Sequence, residues 1–129
     1  MKKKPTIIVT GATRGLGLNF CKYISKLSWN IILVDISNKA YGVYKENKSI
    51  GEIQKKLKNK NKIFFYFCDL ANEKNVINFF SKLKRKKLEI NGLVNFAGGD
   101  ITGKDKRAGG GKPKNNDIFI KSKDFKYVY

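Results

Sequence analysis

A segment with three glycines, Thr10 to Gly17, stands between two different hydrophobic patterns and constrains the fold more than any other feature. Before it, Thr6–Val9 is a run of β-branched residues, which is typical of a strand buried on both faces. After it, apolar residues recur at three- and four-residue spacing and predict one face of a helix, formed by Leu16, Phe20, Tyr23, Ile24 and Leu27.

The glycine segment has the composition of a dinucleotide-binding turn. Gly11 permits a tight turn, Gly15 lets the backbone approach a pyrophosphate, and Gly17 lets the helix pack close to the sheet. The free N–H groups and the dipole at the helix start would hold the phosphate charge. Asp35, eighteen residues after Gly17, ends a second strand. Its carboxylate suits ribose hydroxyls and repels a 2′-phosphate, whereas Arg14 would attract one, so the pattern predicts NAD in preference to NADP.

Strand and helix patterns alternate along the first hundred residues. Further strands are predicted at Asn30–Ile36, Ile63–Phe67 and Leu93–Phe96. Two further helices are indicated by the apolar positions Ile50, Ile53 and Leu57, and Val76, Ile77, Phe80 and Leu83. Such alternation predicts an α/β fold with a doubly wound parallel sheet and helices on both faces. The strands lack polar alternation, which indicates burial on both sides.

The composition divides the chain into three segments. Residues 1–98 are predicted to form the dinucleotide-binding half-domain, residues 99–121 a flexible loop rich in Gly and Lys, and residues 122–129 the start of a helix that the chain end truncates. With no fifth strand beside it, the fourth strand would expose an apolar edge, which favours self-association. A homo-oligomer is compatible with this pattern.

Three motifs in order resemble the short-chain dehydrogenase/reductase family. They are Thr10–Gly17, Cys68-Asp69-Leu70, and Asn95-Phe96-Ala97-Gly98, in which Phe96 departs from the usual second Asn. The resemblance implies a Rossmann-type sheet in the order 3-2-1-4 and hydride transfer between a nicotinamide cofactor, NAD or NADP, and an alcohol or carbonyl compound. The cofactor-binding residues that the motifs and their flanks imply are Gly11, Thr13, Arg14, Gly15, Leu16, Gly17, Asp35, Ile36, Asp69, Leu70, Asn95, Ala97 and Gly98.

No catalytic residue is predicted in this chain. The family uses a Ser, a Tyr-x-x-x-Lys pair and an Asn, all of which the resemblance places beyond the fourth strand, so we expect the chain alone to be inactive. The Tyr41/Lys45 and Tyr44/Lys48 pairs have the right spacing but follow the second strand, far from a nicotinamide ring. The Gly98–Ile101 loop resembles a branch of the family that acts on sugars or polyols.

The net charge of +18 is the main compositional feature, and it arises from lysines spread through the chain. We interpret it as a solvated surface that attracts a phosphate-bearing cofactor, with no specific nucleic acid and no membrane as partner. The absence of histidine argues against a metal site, and the pattern predicts a cytoplasmic protein. Two alternatives remain open: a non-catalytic nucleotide-binding module and a basic nucleic-acid-binding protein.

Overall fold

A computed structural model describes residues 3–36, 45 and 47–98. Four strands and three helices alternate in it: β1 (Thr6–Thr10), α1 (Gly15–Lys26), β2 (Asn30–Asp35), α2 (Ile50–Leu57), β3 (Ile63–Phe67), α3 (Glu73–Arg85) and β4 (Gly92–Asn95). A boundary between Ala97 and Gly98 separates two units of the chain. The loop predicted over 99–121 and the helix start predicted over 122–129 lie outside the described residues.

The four strands form one parallel sheet in the order β3-β2-β1-β4. In the register of the sheet, Thr6 of β1 lies opposite Asn30 of β2, and Ile7 of β1 lies opposite Gly92 of β4. All strands therefore end at the same edge, here called the carboxyl edge, and begin at the opposite amino edge. The predicted Rossmann-type architecture and strand order are confirmed.

The core consists of two apolar layers, one on each face of the sheet. On one face α1 and α2 cover the strands with Leu18, Cys21 and Ile24, and with Ile53 and Leu57. On the other face α3 packs Phe79 and Leu83 against the sheet. Helices on both faces explain why β1 is buried along its whole length and β2 is buried from Ile31 onward.

The outer strands differ from the prediction of burial on both sides. β3 is half-buried, and the residues of β4 alternate between half-buried and exposed. Among the described residues each of these strands pairs with one neighbour only. An outer position gives a strand less cover than a central position, which hydrophobic runs in the sequence do not reveal.

The buried faces of two helices also correct the sequence prediction. In α1 the buried residues are Gly17, Leu18, Cys21, Ile24 and Ser25, whereas Leu16, Tyr23 and Leu27 of the predicted face are exposed. The cause is the contact of Gly17 with the turn before the helix, which fixes the rotation of α1 about its axis.

In α3 the inner positions are Phe79 and Leu83, with Val76 partly buried, while Ile77 and Phe80 are exposed. Here the apolar residues extend beyond one helix face, so periodicity alone does not identify the buried side. The face predicted for α2 is confirmed, since Ile53 and Leu57 are buried and Ile50 packs against them. No helix in the described part of the chain is both long and apolar enough to cross a membrane.

Candidate cofactor site

The turn between β1 and α1 is built around glycines. Gly11 and Gly15 have φ angles of 61° and 54°, in the left-handed region that disfavours a Cβ. A Cβ on Gly11 would lie 2.8 Å from the amide nitrogen of Ala97, and one on Gly17 would overlap the carbonyl oxygen of Gly11. These contacts require glycine at both positions, so that the turn lies against the end of β4 and α1 lies against the turn.

The start of α1 differs from the starts of the other two helices. Its N-cap, Arg14, makes no side-chain capping bond, and its first turn holds no acidic residue. In α2 the Ser49 side chain accepts a hydrogen bond from the Glu52 amide, and in α3 Asn72 accepts one from the Asn75 amide. The first N–H groups of α1 therefore remain available as hydrogen-bond donors. They lie at the positive end of the helix dipole, which no acidic residue in the first turn compensates. This combination suits a phosphate group.

Asp35 lies beside this turn and is almost fully buried. Its Oδ2 atom accepts hydrogen bonds from the Thr13 hydroxyl at 2.6 Å and the Thr13 amide at 3.1 Å, and its Oδ1 atom accepts one from the Ile36 amide at 2.8 Å. A carboxylate has about four acceptor positions, so roughly one remains for a ligand. None of the three donors is a cation, and no ion pair between described residues involves Asp35.

Thr10 connects the ends of β1 and β4. Its hydroxyl donates to the Asn95 side-chain oxygen at 3.1 Å and accepts from the Ala97 amide at 3.2 Å. The Phe96 ring packs on Phe20 of α1, with centroids 5.5 Å apart, so an aromatic contact anchors α1 at this position. Thr10 is not among the site residues predicted from the sequence, although a hydroxyl directly before the first glycine is a signal that points to it.

The remaining predicted residues lie at the ends of β2 and β3. The Oδ1 atom of Asp69 accepts a hydrogen bond from the Ala71 amide at 3.0 Å, which forms a turn before α3. Ile36, Leu70 and, on α1, Leu16 leave much of their apolar side chains exposed. Exposed aliphatic side chains at this edge provide a surface for a flat, apolar ring.

The structure thus places the predicted site residues at the carboxyl edge. It brings Thr13 to Asp35 and brings Asn95 and Ala97 to Thr10 through hydrogen bonds. The strand order reverses at β1, because β2 and β4 lie on its two sides, and such a switch point is where open α/β sheets bind ligands. Gly98, with a φ angle of 153°, begins the second unit of the chain.

The two cysteines lie within the fold and do not contribute to this site. Both are free and buried. Burial raises the pKa of the Cys21 thiol to about 12. It also raises the pKa of Cys68, where the neighbouring Asp69 charge acts in the same direction. Both thiols are protonated at neutral pH, and the described residues hold no group of three or more His, Cys, Asp or Glu side chains suited to a metal ion.

Comparisons with known proteins agree with the fold. The family model described as short chain dehydrogenase matches residues 5–111. Over 91 residues the chain is 31% identical to polyprenol dehydrogenase of Homo sapiens and 32% identical to that of Danio rerio, covering 70% of this chain and 26% of each relative. A solved structure of 4-hydroxyisoleucine dehydrogenase complexed with NADH is 25% identical, with a TM-score of 0.60, and the match covers 97% of this chain and 42% of that chain.

These observations define a Rossmann-type protein with a glycine turn between β1 and α1, and the chain belongs to the short-chain dehydrogenase family. It spans about a quarter of the length of the curated relatives that it matches. The matched segment contains the glycine turn, Asp35, Asp69 and Asn95.

Proposed function

We propose that residues 1–98 are the cofactor-binding half of an oxidoreductase and hold a nicotinamide dinucleotide at the carboxyl edge of the sheet. The observation that carries this proposal is the α1 N-terminus without a side-chain cap, directly after the glycine turn at the strand-order switch point. The NADH complex of 4-hydroxyisoleucine dehydrogenase, a protein with a similar fold, supports the choice of cofactor. The nicotinamide supplies hydride transfer when it is bound.

The described residues suit different parts of this cofactor. The N–H groups of Gly15, Leu16 and Gly17 at the start of α1 would receive the diphosphate. Ile36 and Leu70 would contact the adenine ring. The Thr10–Asn95 hydrogen bond would hold the end of β4 in position for the nicotinamide half, where Ala97 and Gly98 follow.

We propose NAD rather than NADP because of the surroundings of Asp35. Its carboxylate is buried and, among the described residues, accepts hydrogen bonds from neutral donors only, so a 2′-phosphate placed beside it would meet a negative charge. Arg14 acts in the opposite direction, since its guanidinium makes no ion pair in the part of the chain that the structure describes. Because Thr13 fixes the Asp35 side chain, the carboxylate has less freedom than Arg14 to move away from a phosphate.

For the substrate we propose a chemical class and no individual compound. We propose an alcohol/carbonyl pair as the substrate class and catalytic residues outside the described residues. The sugar or polyol expectation rested on the Gly98–Ile101 loop, of which only Gly98 is described, and the curated relatives are named for polyprenol. We retain a cytoplasmic setting as a proposal, which the two free, buried thiols support.

Calorimetric titration of the full chain with NADH and NADPH tests the cofactor proposal. We expect NADH to bind more tightly. Asp35→Asn removes the charge but keeps an oxygen that can accept from Thr13, so it should reduce the preference for NADH by about tenfold or more.

Arg14→Ala serves as the matched variant, because it should weaken the binding of NADPH and leave the affinity for NADH nearly unchanged. Failure of the parent chain to bind either dinucleotide would contradict the cofactor site as a whole. Tighter binding of NADPH by the parent chain would instead show that Arg14 determines the choice.

A further inference from the structure

The basic side chains of the described fold collect at the amino edge of the sheet, opposite the cofactor site. The last turns of the three helices contribute six of them: Lys26, Lys55, Lys56, Lys82, Lys84 and Arg85. The segments that lead into the strands, 3–4, 58–62 and 86–87, contribute seven lysines more. Within the described ranges, Glu89 is the one acidic residue at this edge.

The carboxyl edge is balanced by comparison. Its charged residues in the described part are four basic and four acidic: Arg14, Lys45, Lys48 and Lys74, and Asp35, Glu52, Asp69 and Glu73. If the excess of lysine were spread evenly over the surface, both edges would carry a similar excess of positive charge. Within the described residues, the topology therefore separates the charge, and the excess of positive charge lies at the amino edge.

This charge is too far away to serve the cofactor. A strand of five residues spans about 16 Å at roughly 3.3 Å per residue. The Debye length at physiological ionic strength is about 8 Å, so solvent screens most of the attraction between the amino edge and a phosphate at the carboxyl edge. The interpretation of the net charge as an attraction for the cofactor does not hold for these residues.

Interactions within the fold account for only part of the basic edge. The helix dipole favours the six cations in the last helical turns. Lys3 pairs with Glu89 at 3.2 Å and Lys56 with Glu52 at 2.8 Å, and Lys86 lies over the rings of Phe64 and Tyr66. The lysines at 58, 60 and 62 are outside the helices and exposed, and no ion pair between described residues involves them.

Two shallow concavities add shape to this edge. One, of about 410 Å³, is lined by Lys22, Ser25, Lys26, Lys56, Leu57 and Asn59 at the ends of α1 and α2. The other, of about 620 Å³, is lined by Ser81, Lys84, Arg85 and Lys87 at the end of α3. The first lies on the face of the sheet that α1 and α2 cover, and the second lies on the face that α3 covers. Anionic groups could therefore bind at two separate places along the amino edge.

We propose that the amino edge docks on an anionic phospholipid surface. The ends of four strands and three helices form one end of a layered structure, which presents its cations to a plane rather than to a groove. Twelve of the thirteen cations are lysines, which act as point charges toward lipid headgroups, whereas base and phosphate recognition in nucleic acids favours the planar guanidinium. This docking uses none of the proposed cofactor-binding residues, and it does not depend on the cofactor proposal.

Vesicle co-sedimentation of the full chain, without cofactor, tests the proposal. We expect binding to phosphatidylcholine vesicles with about 30% phosphatidylserine at about 0.15 M salt, and none to phosphatidylcholine alone. The double variant Lys60→Glu/Lys62→Glu should weaken binding at least about 30-fold, from the loss of attraction at two lysines.

The matched control is Lys45→Glu/Lys74→Glu, which changes the net charge equally at the carboxyl edge and should shift affinity by less than about threefold. Equal weakening by both variants would overturn the proposal, because net charge alone would then control binding. Absence of binding to the anionic vesicles, or tighter binding to a short DNA duplex in the same buffer, would also overturn it.

Discussion

At the scale of single residues, the glycine turn shows how close packing fixes sequence. Gly11 and Gly17 are needed because backbone atoms occupy the space that a Cβ would take. Gly51, by contrast, lies in the exposed surface of α2, where a Cβ would meet only the Ser49 hydroxyl at 3.8 Å. Glycine is therefore required at Gly17 in α1, whereas the space around Gly51 in α2 would accept a larger residue.

Gly17→Ala should lower the free energy of unfolding by more than about 2 kcal/mol, because the new methyl group overlaps backbone that cannot move independently. Gly51→Ala should raise it by up to about 1 kcal/mol, since alanine is the better helix former. Urea denaturation followed by circular dichroism measures both changes. Equal effects of the two substitutions would show that the Gly17 contact is not close.

At the scale of elements, three asparagines hold the amino edge of the sheet in register. Asn91, directly before β4, accepts a hydrogen bond from the Thr6 amide at 2.9 Å. Asn30, at the start of β2, accepts one from the Lys62 amide at 2.9 Å. Asn61, before β3, donates to the Trp29 carbonyl at 2.9 Å and accepts from the Asn59 amide at 2.8 Å. Each side chain thus satisfies backbone groups where strands begin.

Asn61→Ala should lower the free energy of unfolding by about 1–3 kcal/mol, because it removes two hydrogen bonds at a buried position and leaves the Trp29 carbonyl without this donor. Asn59→Ala, two residues away and exposed, keeps its backbone amide and should change stability by less than about 0.5 kcal/mol. Thermal and urea unfolding of both variants provide the comparison. A neutral Asn61→Ala would mean that water replaces the side chain at this position.

The existence and order of these elements could be predicted from the sequence, because each strand is a short apolar run between turn residues. The asparagine contacts could not, since Asn61 and Trp29 are 32 residues apart and Asn91 and Thr6 are 85 apart. The buried face of α1 was predicted only in part, because Phe20 and Ile24 pack in the core whereas Leu16, Tyr23 and Leu27 are exposed. Its rotation depends on a tertiary contact at Gly17, which helical periodicity does not contain.

The candidate site was predictable to a similar extent. Thr13, Asp35 and the glycines follow from their spacing and from the family resemblance. That Thr13 donates twice to Asp35, and that Thr10 joins β1 to Asn95, depends on side-chain directions across neighbouring segments. The site residues other than Gly98 lie in the described Rossmann unit, and their roles toward the cofactor stay predictions.

At the scale of the whole molecule, the parallel topology gives the two ends of the sheet different properties. Helix starts, the glycine turn and balanced charges lie at the carboxyl edge, whereas helix ends and most of the described lysines lie at the amino edge. Lysines that look scattered in the sequence are collected by this topology, which is why composition alone did not reveal the polarity. We propose that the dinucleotide binds at the carboxyl edge, with its diphosphate at the start of α1.

Amide chemical shifts of the ¹⁵N-labelled chain during titration with NADH test this claim most directly. We expect the largest changes at the amides of Gly15, Leu16 and Gly17, where a phosphate would accept hydrogen bonds from free N–H groups, and smaller changes at Ile36. The amides of Lys60 and Asn91 at the amino edge should stay unchanged. Changes centred on the amino edge, or binding that leaves the α1 amides unmoved, would contradict the account.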